Sequence, residues 1–365
     1  MHIIYIVLIF CLVLFLYLHV YFQLKTSDDL EIYEIDNPSK DKLEEICDLK
    51  QPILFRFQND RIFESCQCAA ILDTYGAFDI KIRNVKHDNE DNLYVPLAFS
   101  NALKVITEDK DQKYLVENNT DFLEETGIIK SFKYNDVFLR PYMVSQCAYD
   151  FLFAAPRTRT PFKYELNYRN YFLVTEGEIK VKMTQPKSSK YLYQQKDYEN
   201  FEFRSPVNPW DIQTQYKADF DKIKCLDLVM KKGQILYIPA YWWYSIEFGK
   251  GASLATFKYK TYMNTVAILP HLVMKLLQTQ NVKRNTIATL STKNVITEEP
   301  AAVLPLDLLL PSSAIAIPAA LVRPATLVTP AALVTPATLA PEPLTSPFNG
   351  ENALLPTTVL ETTHL

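Results

Sequence analysis

The chain has 365 residues, 13% of them aromatic, with 22 Tyr and 21 Phe against only 7 Gly. This composition excludes a wholly disordered chain, because disordered segments contain few aromatic residues, and the length allows one large domain or two ordinary ones. With a formal net charge of -4, nothing in the composition calls for nucleic acid, which is therefore not an expected partner.

The amino terminus contains a run of twenty largely apolar residues, 3–22, interrupted only by His19. A helix of about 20 residues spans the roughly 30 Å hydrocarbon layer of a bilayer. The run therefore predicts a single-pass membrane anchor over residues 1–23. A cleaved signal peptide is an alternative, but it needs a basic start and small residues at the cut, and no Ala, Gly or Ser precedes Ser27. A buried core helix is the other alternative.

The cysteines favour a reducing compartment. Of the six, Cys11 lies in the apolar run, and the remaining five have no spacing typical of a disulfide framework. Cys66 and Cys68 are separated by one residue rather than the two usual in zinc sites. We therefore predict free thiols. The glycosylation acceptor pattern at Asn118 points to the opposite environment.

The body, residues 24–290, is predicted to be mainly β with flanking helices. It opens with a helix over 40–48 capped by Ser39 and a strand over 52–57, and residues 115–126 are predicted to be helical. Short alternating segments then predict strands over 136–140, 170–174, 178–183, 201–203, 226–230, 234–238, 243–248 and 253–259. A series of short strands with turns between them is typical of a sandwich, jelly roll or barrel.

Residues 270–280 predict a closing amphipathic helix, with Pro270 in the first turn and apolar residues on one face. We predict that the chain binds another protein, and a homodimer through this helix is one form that such binding could take.

Residues 291–365 are predicted to be a low-complexity tail rich in Pro, Ala, Leu and Thr. Between 318 and 341 the sequence repeats every six residues as PAALVR, PATLVT, PAALVT and PATLAP. A proline in every repeat excludes a spanning helix, because each would remove a helical hydrogen bond. An extended tail is the main prediction, and an apolar docking strip for a partner or a particle is the alternative.

Three blocks of the body resemble a known family. TPFKYELNYRNYFLVTEGEIKVKMTQP (160–186), FRSPVNPW (203–210) and KKGQILYIPAYWWYSIEF (231–248) are similar to the JmjC and cupin-like 2-oxoglutarate oxygenases. YRNYFLV and SPVNPW resemble in particular the cupin-like proteins of large DNA viruses. The resemblance implies a double-stranded β-helix, a jelly-roll or cupin barrel with its active site in the mouth.

The resemblance also implies an iron site and shows that its ligand positions are altered. Enzymes of this family bind Fe(II) through two His and one carboxylate, with open positions for 2-oxoglutarate and oxygen. The aligned positions here are Lys163, Glu165 and Tyr244. Counting back from Asn170 shifts the register by one residue and still supplies no histidine. If the three side chains meet in the mouth, Lys163 is expected to pair with Glu165 or Tyr244.

A count of histidines gives the same result. The chain has five, and only His87 and His271 lie in the body, outside the three blocks. An ammonium at position 163 would repel a dication. We therefore expect no iron and no other cofactor. The alternative is an Fe(II) and 2-oxoglutarate site with a non-standard ligand set.

Two further positions belong to the implied pocket. Lys180 lies close to where the family places the cation that binds 2-oxoglutarate, so it is a candidate anion-binding residue. The alternative is that Lys180 is an outward polar residue of an alternating strand. Trp242 and Trp243 should face opposite sides of their strand, and Trp242 is counted among the pocket positions.

The sequence therefore supports three hypotheses of function. The first is a membrane-anchored cupin-like pseudo-oxygenase that acts as a binding or structural module without iron. The second is an active 2-oxoglutarate-dependent protein hydroxylase or demethylase, with Glu165 and Tyr244 in an unusual ligand set. The third is a structural membrane component of a virion.

Overall fold

The computed structural model describes residues 2–86, 94–134 and 136–279. They lie in the first of the two units into which the chain divides, Met1–Glu298 and Glu299–Leu365. The predicted tail with its repeats at 318–341 falls outside the described residues, and so does His87.

The described strands are numbered in chain order. They are β1 (Tyr33–Ile35), β2 (Ile53–Arg56), β3 (Asp79–Asn84), β4 (Val95–Ala98), β5 (Tyr114–Val116), β6 (Val144–Ala154), β7 (Phe162–Tyr164), β8 (Arg169–Glu176), β9 (Glu178–Thr184), β10 (Gln195–Asp197), β11 (Glu202–Ser205), β12 (Leu226–Lys231), β13 (Gln234–Pro239), β14 (Trp243–Phe248) and β15 (Ser253–Thr261).

The helices flank these strands. They are α1 (His2–Leu24), α2 (Lys40–Cys47), α3 (Asp60–Ser65), α4 (Cys68–Tyr75), α5 (Phe99–Glu108), α6 (Thr120–Glu125), α7 (Ile129–Lys133), α8 (Lys217–Phe220), α9 (Tyr262–Ala267) and α10 (269–279). Short 3-10 turns occur at Asp136–Phe138, Pro186–Tyr191 and Thr214–Tyr216.

The described strands form two sheets with a shared core. One sheet has the order β1-β2-β13-β8-β15-β6-β5-β3-β4, and the other has the order β10-β11-β7-β14-β9-β12. Phe172 and Leu236 of the larger sheet pack with Val181 and Ile246 of the smaller one. The intervening side chains of each strand point to the opposite face of the sheet. Many of them are also apolar, so each sheet has a second apolar face. Helices α2 to α7 cover the larger sheet, and the chain between β9 and β12 covers the smaller one.

Most predicted elements are confirmed, and two need correction. The strand predicted over 136–140 is wrong: residues 136–138 form a 3-10 turn, because the buried carboxylate of Asp136 accepts hydrogen bonds from Arg140 and Tyr149. The helix predicted over 115–126 is shorter. Asn118 has a φ of 63°, and its N–H donates to Asp150, so β5 ends before this residue and α6 begins after it.

The amino-terminal helix α1 is the one helix in the described residues that is long and apolar enough to cross a membrane, a test that a signal sequence also passes. Its residues 2–18 are exposed, and Gln23 is buried. The helix packs against α9. The ammonium of Lys50 lies 5.0 Å from the ring of Phe22 and 4.2 Å from the ring of Tyr168, so the end of α1 is held against the body.

Candidate functional site

The candidate site lies where β7 and β13 end and β8 and β14 begin. Arg169 at the start of β8 lies opposite Pro239 at the end of β13, and Tyr244 of β14 lies opposite Lys163 of β7. The rings of Phe172 and Tyr244 contact each other across the core, with centroids 5.2 Å apart. These strand ends therefore share one end of the core, which we call the open end.

Strand alternation directs polar side chains into this open end. Tyr164 and Trp243 belong to the outer apolar cluster of the smaller sheet, so Lys163 and Tyr244 face the opposite way, toward the larger sheet. Lys258 of β15 faces inward from the larger sheet by the same alternation, and its ammonium reaches Glu165.

The carboxylate of Glu165 is fully engaged by protein donors. Its Oε1 accepts hydrogen bonds from the hydroxyl of Tyr244 at 2.7 Å and the ammonium of Lys258 at 2.8 Å. Its Oε2 accepts one from the amide of Asn167 at 2.7 Å, and this amide also donates to Asn170 at 3.0 Å. Both oxygens therefore have partners on the chain itself.

A second group of charges lies beside the first. The ammonium of Lys163 pairs with Glu117 at 3.3 Å, and Glu117 also pairs with Arg83. Arg83 donates to Glu202 at 3.0 Å. Three cations therefore alternate with three carboxylates across the open end. We call the whole set the mouth cluster: Arg83, Glu117, Lys163, Glu165, Glu202, Tyr244 and Lys258.

The cations keep the buried carboxylates ionised. Burial raises the pKa of Glu117, but Arg83 and Lys163 outweigh it and lower the pKa to about 2. Burial also raises the pKa of Glu165, and Lys258 and Lys163 again outweigh it, so the pKa lies below its usual value. Burial lowers the pKa of Lys258, but Glu165 raises it above its usual value. The cluster is therefore a set of mutually stabilised ions.

Low pH should destabilise the folded chain through the buried carboxylate of Glu117. A carboxylate with a depressed pKa in the folded state contributes stability that is present above its unfolded pKa and is lost as pH falls toward its folded value. For Glu117 this window runs from an unfolded pKa near 4.3 down to about 2. The free energy of unfolding, measured by urea titration at a series of pH values, should therefore fall steeply over this range.

A matched variant isolates the contribution of Glu117 to this loss of stability in acid. Glu117→Gln has no carboxylate at this position, so its free energy of unfolding should show a shallower acid slope. Asp150 contributes an acid slope of the opposite sign. Burial raises its pKa to about 6, so its protonation as pH falls favours the folded state. An acid slope that is identical in the unaltered chain and Glu117→Gln would contradict the prediction.

The structure brings several of the sequence-predicted pocket residues together. Glu165 and Tyr244 meet directly. Asn170 lies beside them through Asn167 and donates to the carbonyl of Ile238. The pairing of Lys163 differs from the expectation, since its hydrogen-bonded partner is Glu117, and Lys258 is the cation that pairs with Glu165.

The other predicted positions lie away from the mouth cluster. Lys180 has a side chain that is 57% exposed and pairs with Glu247 at 3.6 Å, on the outer face of β9. The structure therefore favours the outward alternative for Lys180. Trp242 is buried in the core and donates to the carbonyl of Lys50, whereas Trp243 packs in the outer cluster, so the predicted alternation of the two rings is observed.

The residues at the open end do not fit the iron site that the resemblance implies. An iron of this type takes neutral imidazole and free carboxylate oxygens. Here both oxygens of Glu165 are hydrogen-bonded to the protein, and two ammonium groups, those of Lys163 and Lys258, act on the same carboxylate. Within residues 2–86, 94–134 and 136–279, no three His, Cys, Asp or Glu side chains converge as a metal site requires.

Four members of the mouth cluster were not identified from the sequence. Lys258 could have been found, because it interrupts the apolar residues of a strand that alternates from 253 to 259. Arg83, Glu117 and Glu202 carry no such signal. They come from β3, the end of β5 and β11, and meet only because the two sheets close on each other.

Comparison with known proteins identifies the type of domain. The model of a family described as a cupin-like domain matches residues 74–263, about half of the chain. The match includes β7, β14 and β15, which carry the candidate site. A search of curated proteins finds no match.

Proposed function

Because this chain belongs to the cupin-like domain family, we propose that it is a membrane-anchored pseudo-oxygenase, a binding or structural module that works without iron. The module has the oxygenase type of fold. Its partner is another protein, and the mouth cluster occupies the position at which an enzyme of this type would hold its metal.

The strand order supports a double-stranded β-helix. In the larger sheet β8 lies between β13 and β15, and β6 follows β15; in the smaller sheet β14 lies between β7 and β9, and β12 follows β9. Successive strands from β6 to β9 thus alternate between the two sheets, and so do β12 to β15. Two antiparallel sheets wound in this way form a jelly roll, whose open end is the usual place for a site.

One observation carries the non-enzymatic interpretation. The carboxylate of Glu165 is held by Tyr244 at 2.7 Å and by Lys258 at 2.8 Å. Removing one partner from a buried pair of ions is strongly unfavourable. A metal that used Glu165 would compete with Lys258 for this carboxylate and would lie beside the ammonium of Lys258, so the cluster opposes metal binding.

A turnover assay tests this proposal. Purified full-length chain supplied with Fe(II), ascorbate and 2-oxoglutarate should form no more succinate than a sample without protein. Protein-dependent succinate formation that Glu165→Ala abolishes would refute the proposal and establish the alternative, an active 2-oxoglutarate-dependent hydroxylase or demethylase.

We also propose that α1 anchors the chain in a membrane. Its 23 residues are long enough to cross the roughly 30 Å hydrocarbon layer. Residues 2–18 are all exposed, and most of them are large and apolar. Exposing this apolar surface to water would be very unfavourable. In a bilayer the same side chains would contact hydrocarbon.

The second prediction tests the anchor. The full chain should sediment with membranes and resist extraction by alkaline carbonate, because a spanning helix is not released by breaking electrostatic contacts. A chain that begins at Gln23 should remain in the supernatant. Immunoblotting of the two fractions gives the result. A full chain that carbonate releases would contradict the anchor, and a processed chain that lacks residues 1–23 would identify a signal sequence.

A further inference from the structure

Helices α9 and α10 present an apolar face that the body leaves uncovered. Tyr262, Val266, Leu269, Val273 and Leu276 are each between 45% and 62% exposed. Their spacing of three or four residues places them on one side of a helix. The face bears no charged side chain over about four turns.

The opposite side of the same segment is fixed to the body. Asn264 and Ile268 are buried, and Ile268 and Leu272 pack in the outer cluster of the smaller sheet. The hydroxyl of Tyr198 lies 3.4 Å from Nδ1 of His271. The uncovered face therefore belongs to a segment of defined orientation.

The position of this face is set by the candidate membrane span. Helix α1 packs against α9, and the residues of α1 that lose exposure are His19, Val20 and Gln23, at its carboxyl end. The apolar face therefore begins beside the last turns of α1. If α1 crosses a bilayer, this is the level of the lipid headgroups.

The side of α10 that is opposite the apolar face carries a basic residue, as in helices that lie on a lipid surface. The ammonium of Lys275 lies 5.1 Å from the ring of Phe201, and that of Lys260 lies 5.6 Å from it. Lysine stems cover apolar surface while the ammonium reaches polar groups. Amphipathic helices that lie in the headgroup region combine such basic residues with an apolar face of Leu and aromatic side chains.

We propose that α9 and α10 form a second membrane contact, lying in the plane of the lipid headgroups with Tyr262, Val266, Leu269, Val273 and Leu276 toward the acyl chains. This inference rests on the proposed span of α1. The partner is the bilayer rather than a second copy, because the face begins where α1 ends and a partner protein would have to displace the adjacent lipid.

The contact also orients the candidate site. The amide of Asn264 in α9 donates to the carbonyl of Leu166 at 3.2 Å, and Leu166 follows Glu165 in the chain. The open end of the core is therefore next to the proposed lipid contact. A ligand of the mouth cluster would then be presented at the membrane surface.

Quenching of tryptophan by brominated lipids tests the proposal in the full chain. Leu276→Trp places a reporter on the apolar face, and Leu14→Trp places one in α1. Val229→Trp is the matched control, because Val229 is an exposed apolar residue on β12, 51% accessible. The emission of the three native tryptophans is subtracted with the unaltered chain.

In vesicles that contain brominated lipid, Leu276→Trp and Leu14→Trp should lose most of their added emission, and Val229→Trp should keep it. Loss at Leu14→Trp without loss at Leu276→Trp would overturn this inference and leave the anchor intact. Loss at Leu276→Trp alone would support the second contact and reject the span. Blue-shifted, unquenched emission from Leu276→Trp would overturn the inference, because protein, either a second copy or residues beyond 279, would then cover the face.

Discussion

Glu117→Gln should lower the free energy of unfolding by about 3–5 kcal/mol, the usual cost of removing one partner from a buried ionic group. Glu117 is 5% exposed and pairs with both Arg83 and Lys163. The neutral amide keeps the shape of the side chain but removes the charge, so Lys163 loses its carboxylate partner and the buried Arg83 keeps only Glu202. Urea unfolding at neutral pH measures the difference.

A surface ion pair provides the control. Asp227 is 68% exposed and pairs with Lys182 at 3.4 Å. Exposed pairs contribute at most about 1 kcal/mol, so Asp227→Asn should change the free energy of unfolding by no more than that. If Glu117→Gln has an effect as small as Asp227→Asn, the mouth cluster is not the buried ionic network described above.

The combined variant Lys163→His, Glu165→Asp and Tyr244→His should create a metal site at the open end of the core. Lys163 and Tyr244 are directly opposed across β7 and β14, and Glu165 lies two residues after Lys163. Two imidazoles and a carboxylate at these positions form the ligand set that suits Fe(II) and Zn(II). Zinc titration followed by dialysis and metal analysis should show binding only in the combined variant.

A fourth substitution separates ligand geometry from charge. Lys258 remains beside position 165 in the combined variant, and its ammonium opposes a dication. Adding Lys258→Met should therefore tighten zinc binding by about tenfold or more, which corresponds to about 1.4 kcal/mol. Lys163→His alone should bind no zinc. Equal zinc binding by the single and combined variants would mean that the metal binds elsewhere.

The sequence predicts the strands well because their burial is local. Residues 234–238 and 243–248 are predicted to be strands with apolar side chains on both faces, and both strands are observed. The segment 136–140 is also predicted to be a strand, but its conformation depends on Asp136, whose partner Tyr149 lies in β6. Such a contact is not visible in a window of five residues.

The candidate site is only half visible in the sequence, for the same reason. The resemblance locates Glu165, directly after β7, and Tyr244, on the neighbouring strand β14. It does not supply the counter-charges of Glu165 and Lys163, because Lys258 and Glu117 reach the open end through long-range sheet pairing. Lys180 shows the value of strand alternation, since its family position suggests a pocket and the alternation of β9 predicts the outward position that is observed.

Metal analysis of the purified, unaltered full chain is the most direct test of the pseudo-oxygenase proposal. The protein should be incubated with Fe(II) without oxygen, desalted and assayed for iron, with the combined variant Lys163→His, Glu165→Asp and Tyr244→His as the positive control. The ionic cluster at Glu165 predicts iron far below stoichiometric in the unaltered chain and a clear gain in the variant. Stoichiometric iron in the unaltered chain would contradict the proposal and make an oxygenase the better interpretation.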